Sequence, residues 1–492
     1  MHPRNPYQHT PNFTLLARDY PDIQPYLTGN TLDFQDDAAQ RALTQALLHR
    51  DFNLTIDLPP NRLCPPVPNR LNYVLWIQDI VMAYEGVLGA LGGGEGVGVC
   101  GVDIGTGASA IYPLLACSLE PKWQFLATEL DFESYKYACA NVQKNGLEKR
   151  IHVVKLDPDP NTRTRPQIEF TMCNPPFYGS VEEVEASSAM KEGGPLGVCT
   201  GAPVEMITPG GEAQFVGRMV KESVGGGVTL LESWNGGHLE KSLPNEGKPT
   251  SGRRNDREFS SSPGKRHLDG PGPSVRFGKR RRVSESGIGE RTRPVRWYTS
   301  MLGKMGSVVE VVKELGACGI SNYAITEFVQ GQTRRWAVGW SCGGFRLPDS
   351  ISRIQNPNPT LQRLMPSRNA LQFHHLDLSN LDLEQLQEIL QTIDGCTQGD
   401  TNPGTPISSR GPCLFMSAMG DTWSRSARRE RKMKMQAHSG SESGFALVCS
   451  ITWTREGGGG LEVRWVYGFD RALFESFASH VARKLGPGKG AV

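Results

Sequence analysis

Residues Cys173 to Tyr178 read Cys-Asn-Pro-Pro-Phe-Tyr and close the short apolar run from Gln167 to Met172. Two consecutive prolines cannot donate to a sheet ladder, so they end a strand and stiffen the backbone that follows. They hold in place the Asn174 amide and the Pro175 carbonyl, two hydrogen-bond acceptors, with the flat apolar face of Phe177 beside them. Two acceptors next to a stacking face suit a planar substrate that carries an NH2 group. Such an amine is a poor nucleophile, because its lone pair is delocalised into the ring. Acceptors that grip both hydrogens favour the pyramidal, nucleophilic form, which is catalysis by positioning and electrostatics rather than by a strong base. Taken alone, the tetrad Asn174-Pro175-Pro176-Phe177 leaves the acceptor open among adenine, cytosine and glutamine.

A second constellation supplies the other reactant. Val102-Asp103-Ile104-Gly105-Thr106-Gly107-Ala108-Ser109 lies where an apolar run turns into a helical pattern. Glycines there allow a ligand to approach the backbone, and the helix N-terminus favours an anionic or polar group. Only Asp103, Gly105 and Gly107 fit a nucleotide-type fingerprint. The third glycine of the dinucleotide pattern is absent, which disfavours a pyrophosphate and suits a ligand with a carboxylate and an amine. Glu129 ends the next apolar run, where an acidic side chain can hold ribose hydroxyls.

The elements that must carry these residues alternate β and α, and the pattern calls for a parallel sheet covered by helices. Strands are expected at 97–104, 123–130, 151–156 and 168–173, with helices at 108–119, 132–145 and 212–224 between and after them. The sheet resumes at 295–302, followed by a helix at 308–316 and a closing hairpin of runs 322–330 and 335–341. Its loops meet at one sheet edge, where open α/β sheets bind ligands. Ahead of it, 1–88 reads as a compact helical module with helices at 36–48 and 71–82, joined through a Gly-rich stretch at 89–98. Behind it, a Pro-rich linker at 346–368 leads into a smaller α+β domain at 369–492. That domain is expected to carry strands at 373–378, 414–417, 445–454 and 461–467 and helices at 382–393 and 472–485.

Composition narrows the classes. The hydrophobic fraction of 38% supports real cores, while 56 Gly and 34 Pro signal long irregular stretches. The net charge of +2 hides a local excess: from 251 to 300, thirteen Lys/Arg stand against five Asp/Glu. Residues from about 225 to 293 have too little apolar content to offset their ordering entropy and read as a disordered basic insertion within the sheet domain. The 11 cysteines include no CxxC pair and no tight Cys/His cluster, which argues against structural zinc and a disulfide framework. The opening residues lack the apolar core of a signal peptide, and no run of about 18 apolar residues exists to span a membrane. The chain therefore reads as soluble and intracellular.

The combination resembles class I S-adenosylmethionine-dependent methyltransferases, within them the amino-methylating group with an Asn/Asp-Pro-Pro-aromatic motif. Pro68-Asn-Arg-Leu-Asn-Tyr73, the loop 103–109, Leu126-Ala-Thr-Glu129, Met172-Cys-Asn-Pro-Pro-Phe177, Arg296-Trp-Tyr298, Met301-Leu-Gly-Lys304, Thr326-Glu-Phe328, Gln330-Gly331 and Arg335-Trp-Ala337 are together similar to the methyltransferase-like protein 16 family. The resemblance spans most of 1–341 apart from the insertion. It implies a Rossmann-like sheet and transfer of methyl to N6 of an adenine in U6 small nuclear RNA, within its ACAGAGA box; the bacterial relative acts on 23S ribosomal RNA. Arg70, Asp103, Gly105, Gly107, Ser109 and Glu129, together with Asn174, would hold S-adenosylmethionine, and no metal is implied. Asn174 and the Pro175 carbonyl would take the adenine amine, and Phe177 would stack on a base that is unpaired or flipped out.

The resemblance also marks RNA contacts. Arg4, Arg296 and Arg335 are its basic candidates, and the family has Arg or Lys at the positions of Pro6, Gln35 and Gln332. The loop after Leu156 is shorter and acidic, with Asp157 and Asp159 where a lysine-bearing, cofactor-side loop is expected. The last domain, with its basic run through Arg428 and Arg429, is similar to the family's C-terminal RNA-binding region, where a basic helix would track phosphates. Lys279-Arg-Arg-Arg-Val283 resembles a nuclear localisation signal, which implies a nuclear protein with room for a cytoplasmic pool. Structured RNA is the implied partner, with no membrane. Two rivals use the same residues: a protein glutamine or DNA adenine methyltransferase, and a non-catalytic RNA-binding scaffold that only senses S-adenosylmethionine.

Overall fold

The computed structural model describes residues 1–90, 98–155, 168–189, 201–225, 295–331, 333–374, 376, 383–393, 395–398, 413–427, 429, 445–454 and 460–486. The expected basic insertion at 225–293 beyond Gly225, the loop after Leu156 and most of the Gly-rich join lie outside them.

The N-terminal part holds helices α1 (Phe13–Asp19), α2 (Asp37–Phe52) and α3 (Val67–Ala90), with a two-stranded hairpin of β1 (Leu27–Thr28) and β2 (Thr31–Leu32). Asp36 caps α2 by accepting the Ala38 N–H, and Asn53 closes it in the left-handed conformation at φ 53°. The sheet that follows has seven strands: β3 (Cys100–Ile104), β4 (Gln124–Glu129), β5 (Ile151–Lys155), β6 (Ile168–Cys173), β7 (Val295–Leu302), β8 (Tyr323–Gln330) and β9 (Thr333–Trp340). Their order is β5-β4-β3-β6-β7-β9-β8. Strands β3 to β7 run parallel, and β9 is antiparallel to both of its neighbours, β7 and β8. The helix-covered parallel sheet is the one the alternating pattern anticipates, and the whole order fits the Rossmann-like class I sheet that the resemblance implies. The direction of strand order reverses beside β3, so β3 and β6 flank the crevice where such sheets bind ligands.

Helices cover both faces. On one, Ile111, Leu114 and Leu115 of α4 (Ile111–Leu119) join Phe125 and Phe170 of the sheet in a single core with Leu16, Leu47 and Leu71 of the N-terminal helices. On the other, α8 (Gly211–Val224) and α9 (Met305–Ala317) lay Phe215, Val216, Val311 and Leu315 against β7 and β9. Burial on both faces explains why the central strands are near-continuous apolar runs: every residue of β6 after Ile168 is buried. Between β4 and β5, α5 (Phe132–Lys144) starts at Asp131, whose carboxylate accepts the Ser134 N–H. Short helices α6 (Val181–Ala189) and α7 (Pro203–Met206) follow β6, and the sequence pattern shows neither.

Residues 346–368, expected as a linker, instead carry helices α10 (Asp349–Ser352) and α11 (Pro359–Gln362), and Leu361 and Met365 enter the core behind β9. Beyond them a five-stranded antiparallel sheet has the order β10-β14-β13-β12-β11, built from β10 (Ala370–His374), β11 (Cys396–Gln398), β12 (Cys413–Ala418), β13 (Leu447–Thr454) and β14 (Gly460–Gly468). Helices α12 (Leu383–Gln391) and α13 (Arg471–Leu485) cover one face with Leu386, Leu390, Phe474 and Phe477. The other face meets Val87 and Phe345 through Phe415, Val448 and Tyr467. Arg346 seals this seam, its guanidinium 4.1 Å from the centroid of the Trp465 ring and its N–H donated to the Val466 carbonyl at 2.8 Å. Among the described residues no helix is long and apolar enough to cross a membrane.

Candidate active site

The loop after β3 turns sharply because Gly105 and Gly107 adopt φ of 72° and 64°, which a side chain would resist. The Gly107 N–H donates to Glu129 Oε2 at 2.8 Å, and Glu129 Oε1 accepts from the Leu130 and Asp131 amides at 2.9 Å each. Glu129, the last residue of β4, thus ties the glycine loop to the neighbouring strand end. Burial pushes its carboxyl upward, and the Asp131, Gly107 and Leu130 amides pull it back. Ser109 is buried just before α4, whose first amides have no side-chain cap.

Asp103 is the contrasting acid. It is fully buried, and burial pushes its carboxyl up to about 7 against the opposing pull of the nearby Thr106 hydroxyl and Arg70. Neither of its oxygens completes a hydrogen bond within the protein. Arg70 reaches this region from α3 and donates Nη1–H to the Tyr112 hydroxyl at 3.0 Å, while its Nε–H finds no protein acceptor.

Asn174 emerges directly from β6. The preceding residue, Cys173, donates its N–H to the Tyr73 hydroxyl at 3.3 Å, and that hydroxyl shares a 2.6 Å hydrogen bond with Thr299 on β7. Helix α3 therefore reaches through the core to anchor the strand end that presents Asn174. The Asn174 side-chain oxygen is buried and unpartnered. Downstream, Tyr178 donates its N–H to the Met206 carbonyl at 3.0 Å and accepts the Thr208 N–H at 2.9 Å, which fixes the exit of the loop. The Phe177 ring faces the Arg335 guanidinium, 5.7 Å from its centroid.

Ten buried side-chain polar atoms among the described residues lack a hydrogen-bond partner, and five of them gather here: Arg70 Nε, both Asp103 oxygens, Thr106 Oγ1 and Asn174 Oδ1. Native proteins leave few such groups unmatched, because each costs about 1–3 kcal/mol. Their concentration at the ligand-binding edge of the sheet marks a site built for a polar ligand.

Known proteins agree with this geometry. The family model described as RNA methyltransferase matches residues 1–231 and 242–343. A fission yeast relative (Schizosaccharomyces pombe), the U6 small nuclear RNA (adenine-(43)-N(6))-methyltransferase, is 30% identical over 471 residues, covering 94% of this chain and 97% of its own. The Xenopus laevis RNA N(6)-adenosine-methyltransferase mettl16 is 34% identical over 464 residues, with 89% of this chain and 70% of the relative covered. The crystal structure of the hMettl16 catalytic domain in complex with MAT2A 3'UTR hairpin 1 superposes with a TM-score of 0.50 at 33% identity, covering 69% of this chain and 95% of that one. This chain belongs to the methyltransferase-like protein 16 family of RNA methyltransferases. It is an enzyme.

Within this methyltransferase, the structure brings Arg70, Asp103, Gly105, Gly107, Ser109, Glu129, Asn174, Phe177 and Arg335 to one edge of the sheet. It does not bring Arg296 there. Arg296 lies near the amino end of β7, its Nε 2.6 Å from Glu169 Oε2 and its guanidinium 5.0 Å from the Tyr84 ring centroid, whereas Asn174 follows the carboxyl end of the parallel neighbour β6. Arg4 is held at 2.5 Å from Asp79 and borders a cavity of about 530 Å³ shared with Pro6, His9 and Arg50. Gln35 is exposed beyond the N-terminal hairpin, and Arg429 is exposed on the C-terminal part. Arg428, Lys279 to Val283, Asp157, Asp159 and Gln332 lie outside the described residues.

The residue pattern did not single out Tyr112, Thr106 or Glu205. Glu205 accepts the Leu63 and Ala202 amides at 3.0 Å each and tucks the 203–206 turn under the glycine loop, with Oε1 facing Gly107. Only Thr106 had a usable signal, its place between the two turn glycines.

Proposed function

We propose that this enzyme transfers a methyl group to N6 of an adenine in U6 small nuclear RNA, or in a similar structured hairpin, with S-adenosylmethionine as donor and the nucleus as its place of action. The partnerless, buried Asn174 oxygen beside the partnerless Asp103 is the observation that supports the reading most directly. The residues fit the donor. Arg70 has an unsatisfied donor for a carboxylate, Asp103 has two unsatisfied acceptors for an ammonium, and Glu129 keeps lone pairs for ribose hydroxyls. When bound, S-adenosylmethionine supplies an electrophilic methyl on a sulfonium.

The chain's own residues prepare the amine. Asn174 Oδ1 and the Pro175 carbonyl accept its two hydrogens and draw the nitrogen lone pair out of conjugation. Pro175 and Pro176 keep both acceptors rigid, so no reorganisation is needed during transfer. Phe177 holds the flipped base by stacking, and Arg335 beside it offers a cation to the neighbouring phosphates. The gripped amine would take the methyl directly, giving up one N–H proton and leaving the donor as its sulfide, so no residue of the chain would need to carry the methyl. The 1–88 module, through the basic rim at Arg4 and Arg50, and the C-terminal α+β domain, through Arg428 and Arg429, add RNA contacts in this reading.

The test incubates the full chain with radiolabelled S-adenosylmethionine and a U6-like hairpin, beside Asn174→Ala. Label on adenine N6 that the variant loses is the expected result. No label from the wild-type enzyme overturns the substrate, and equal label from the variant overturns the role of Asn174.

A further inference from the structure

We propose that Glu212 is a positioning residue for the transfer step, setting the seat of the Phe177 ring by clamping the Gly303–Lys304 turn; this rests on the reading of Phe177 as the base-stacking face. Glu212 occupies the first turn of α8 and is 1% exposed. Its Oε2 accepts the Gly303 N–H at 2.7 Å and its Oε1 the Lys304 N–H at 2.9 Å, so one carboxylate fixes two successive amides at the end of β7.

The clamped turn is the surface on which Phe177 rests. A Cβ placed on Gly303 would lie 3.0 Å from Phe177 Cδ1 and 3.3 Å from Cε1, so the ring edge fills the space a side chain there would take. The φ of Gly303 is not in the left-handed region, so space rather than conformation demands glycine there. The other end of Phe177 is registered by the same helix start, since a Cβ on Gly211 would lie 3.6 Å from the Phe177 carbonyl oxygen. The start of α8 therefore touches both, Gly211 beside the backbone of the acceptor loop and Glu212 holding the seat of its ring.

A second carboxylate reinforces the link. Glu183 accepts the Gly179 N–H at 2.7 Å and pairs with the Lys304 ammonium, which also stands 5.3 Å from the Tyr178 ring centroid. A helix cap for α9 would account for the amide contacts alone, since Lys304 offers no side-chain cap. It would not require the capped turn to be glycine pressed against the stacking ring. Misplacement by about 1 Å can cost on the order of 100-fold in rate, which is the leverage this seat holds over transfer.

The experiment compares wild type, Glu212→Ala, Glu212→Gln and Gly303→Ala as full chains. Single-turnover methylation of a U6-like hairpin is read at saturating RNA and donor, alongside S-adenosylmethionine affinity by calorimetry and melting temperature. Expected for Glu212→Ala is a rate loss of about tenfold or more with donor affinity within about twofold of wild type. Glu212→Gln keeps one acceptor and recovers part of the rate. Gly303→Ala keeps the carboxylate but crowds the ring edge at 3.0 Å and Glu212 Oε2 at 3.3 Å, so it disturbs the seat from the other side and loses rate in the same way even if Glu212→Ala does not fold. Full rate in both Glu212→Ala and Gly303→Ala overturns the inference, as does a loss of donor affinity matching the loss of rate. The absence of wild-type labelling is a separate result: it overturns the substrate reading and removes the footing of this inference.

Discussion

The two halves of the active site are built in opposite ways. The donor half, Asp103 to Glu129, comes mainly from one β-α-β unit wired to itself, with Gly107 donating to Glu129 and Thr106 to the Thr128 carbonyl, while Arg70 and Glu205 reach it from elsewhere. The acceptor half, Asn174 to Phe177, leans on distant chain: Tyr73 and Thr299 behind Asn174, and Gly303 and Arg335 beside Phe177. A ligand cradle can be closed by neighbours in sequence, because one strand-loop-helix turn already converges on it. A stacking platform for a large, incoming base needs several strand ends to meet.

The sharpest way to test this division is Asn174→Ala. It should lower turnover by about 10³-fold while donor affinity changes far less, since the lost acceptor acts mainly on the developing transition state. Single-turnover kinetics beside calorimetry would separate the two quantities. A parallel collapse of donor affinity would merge the halves.

Asp103 gives the next effect, and its sign follows from burial. Its carboxyl stands near 7 in the ligand-free fold against an ordinary 3.8, so the folded state prefers the protonated form. The ligand-free enzyme should lose stability as pH rises from about 4 to about 7 and level off above, by at most about 4 kcal/mol. Asp103→Asn should flatten that slope in thermal melts. In the wild type, donor affinity should strengthen as pH rises through about 7, because an ionised Asp103 meets the donor's ammonium.

Glu129→Ala ranks third. Losing a charged acceptor should weaken donor binding by about 1.5–3 kcal/mol, roughly 10–100-fold, with RNA affinity unchanged. Gel-shift and calorimetric titrations check the two arms. Tyr73→Phe is the smallest. It strips the hydroxyl that accepts the Cys173 amide, so the melting temperature should fall with about 1–3 kcal/mol of stability and turnover should drop only a few-fold. A larger catalytic than structural loss would place Tyr73 nearer the chemistry than its distance suggests.

Much of the fold was legible. Strands β6 and β7 lie where the apolar runs put them, because a parallel strand buried on both faces must be apolar throughout. The 346–368 stretch was not, since Leu361 and Met365 are a single i,i+4 pair bracketed by Pro359 and Pro366, too short a run to tell a packed turn from a linker, yet both are buried. Arg296 misled for a related reason. Its basic, strand-borne position looks accessible until Glu169, far away in the chain, folds beside it. The short helix α7 carries Glu205, whose carboxylate joins Leu63 to the turn, and nothing in local spacing announces it.

By itself, the sequence determined the reactive inventory: two acceptors stiffened by prolines, a stacking ring, a glycine turn and a strand-end acid. Those properties are local, set by residue type and by spacing along one strand-loop-helix unit. Only the tertiary structure decided which polar atoms go unpartnered, which arginine faces Phe177 and which is locked to Glu169, and that Glu212 and Gly303 form the seat of the ring. Burial, charge pairing and close contact are made between segments that share an edge in space and almost nothing in sequence.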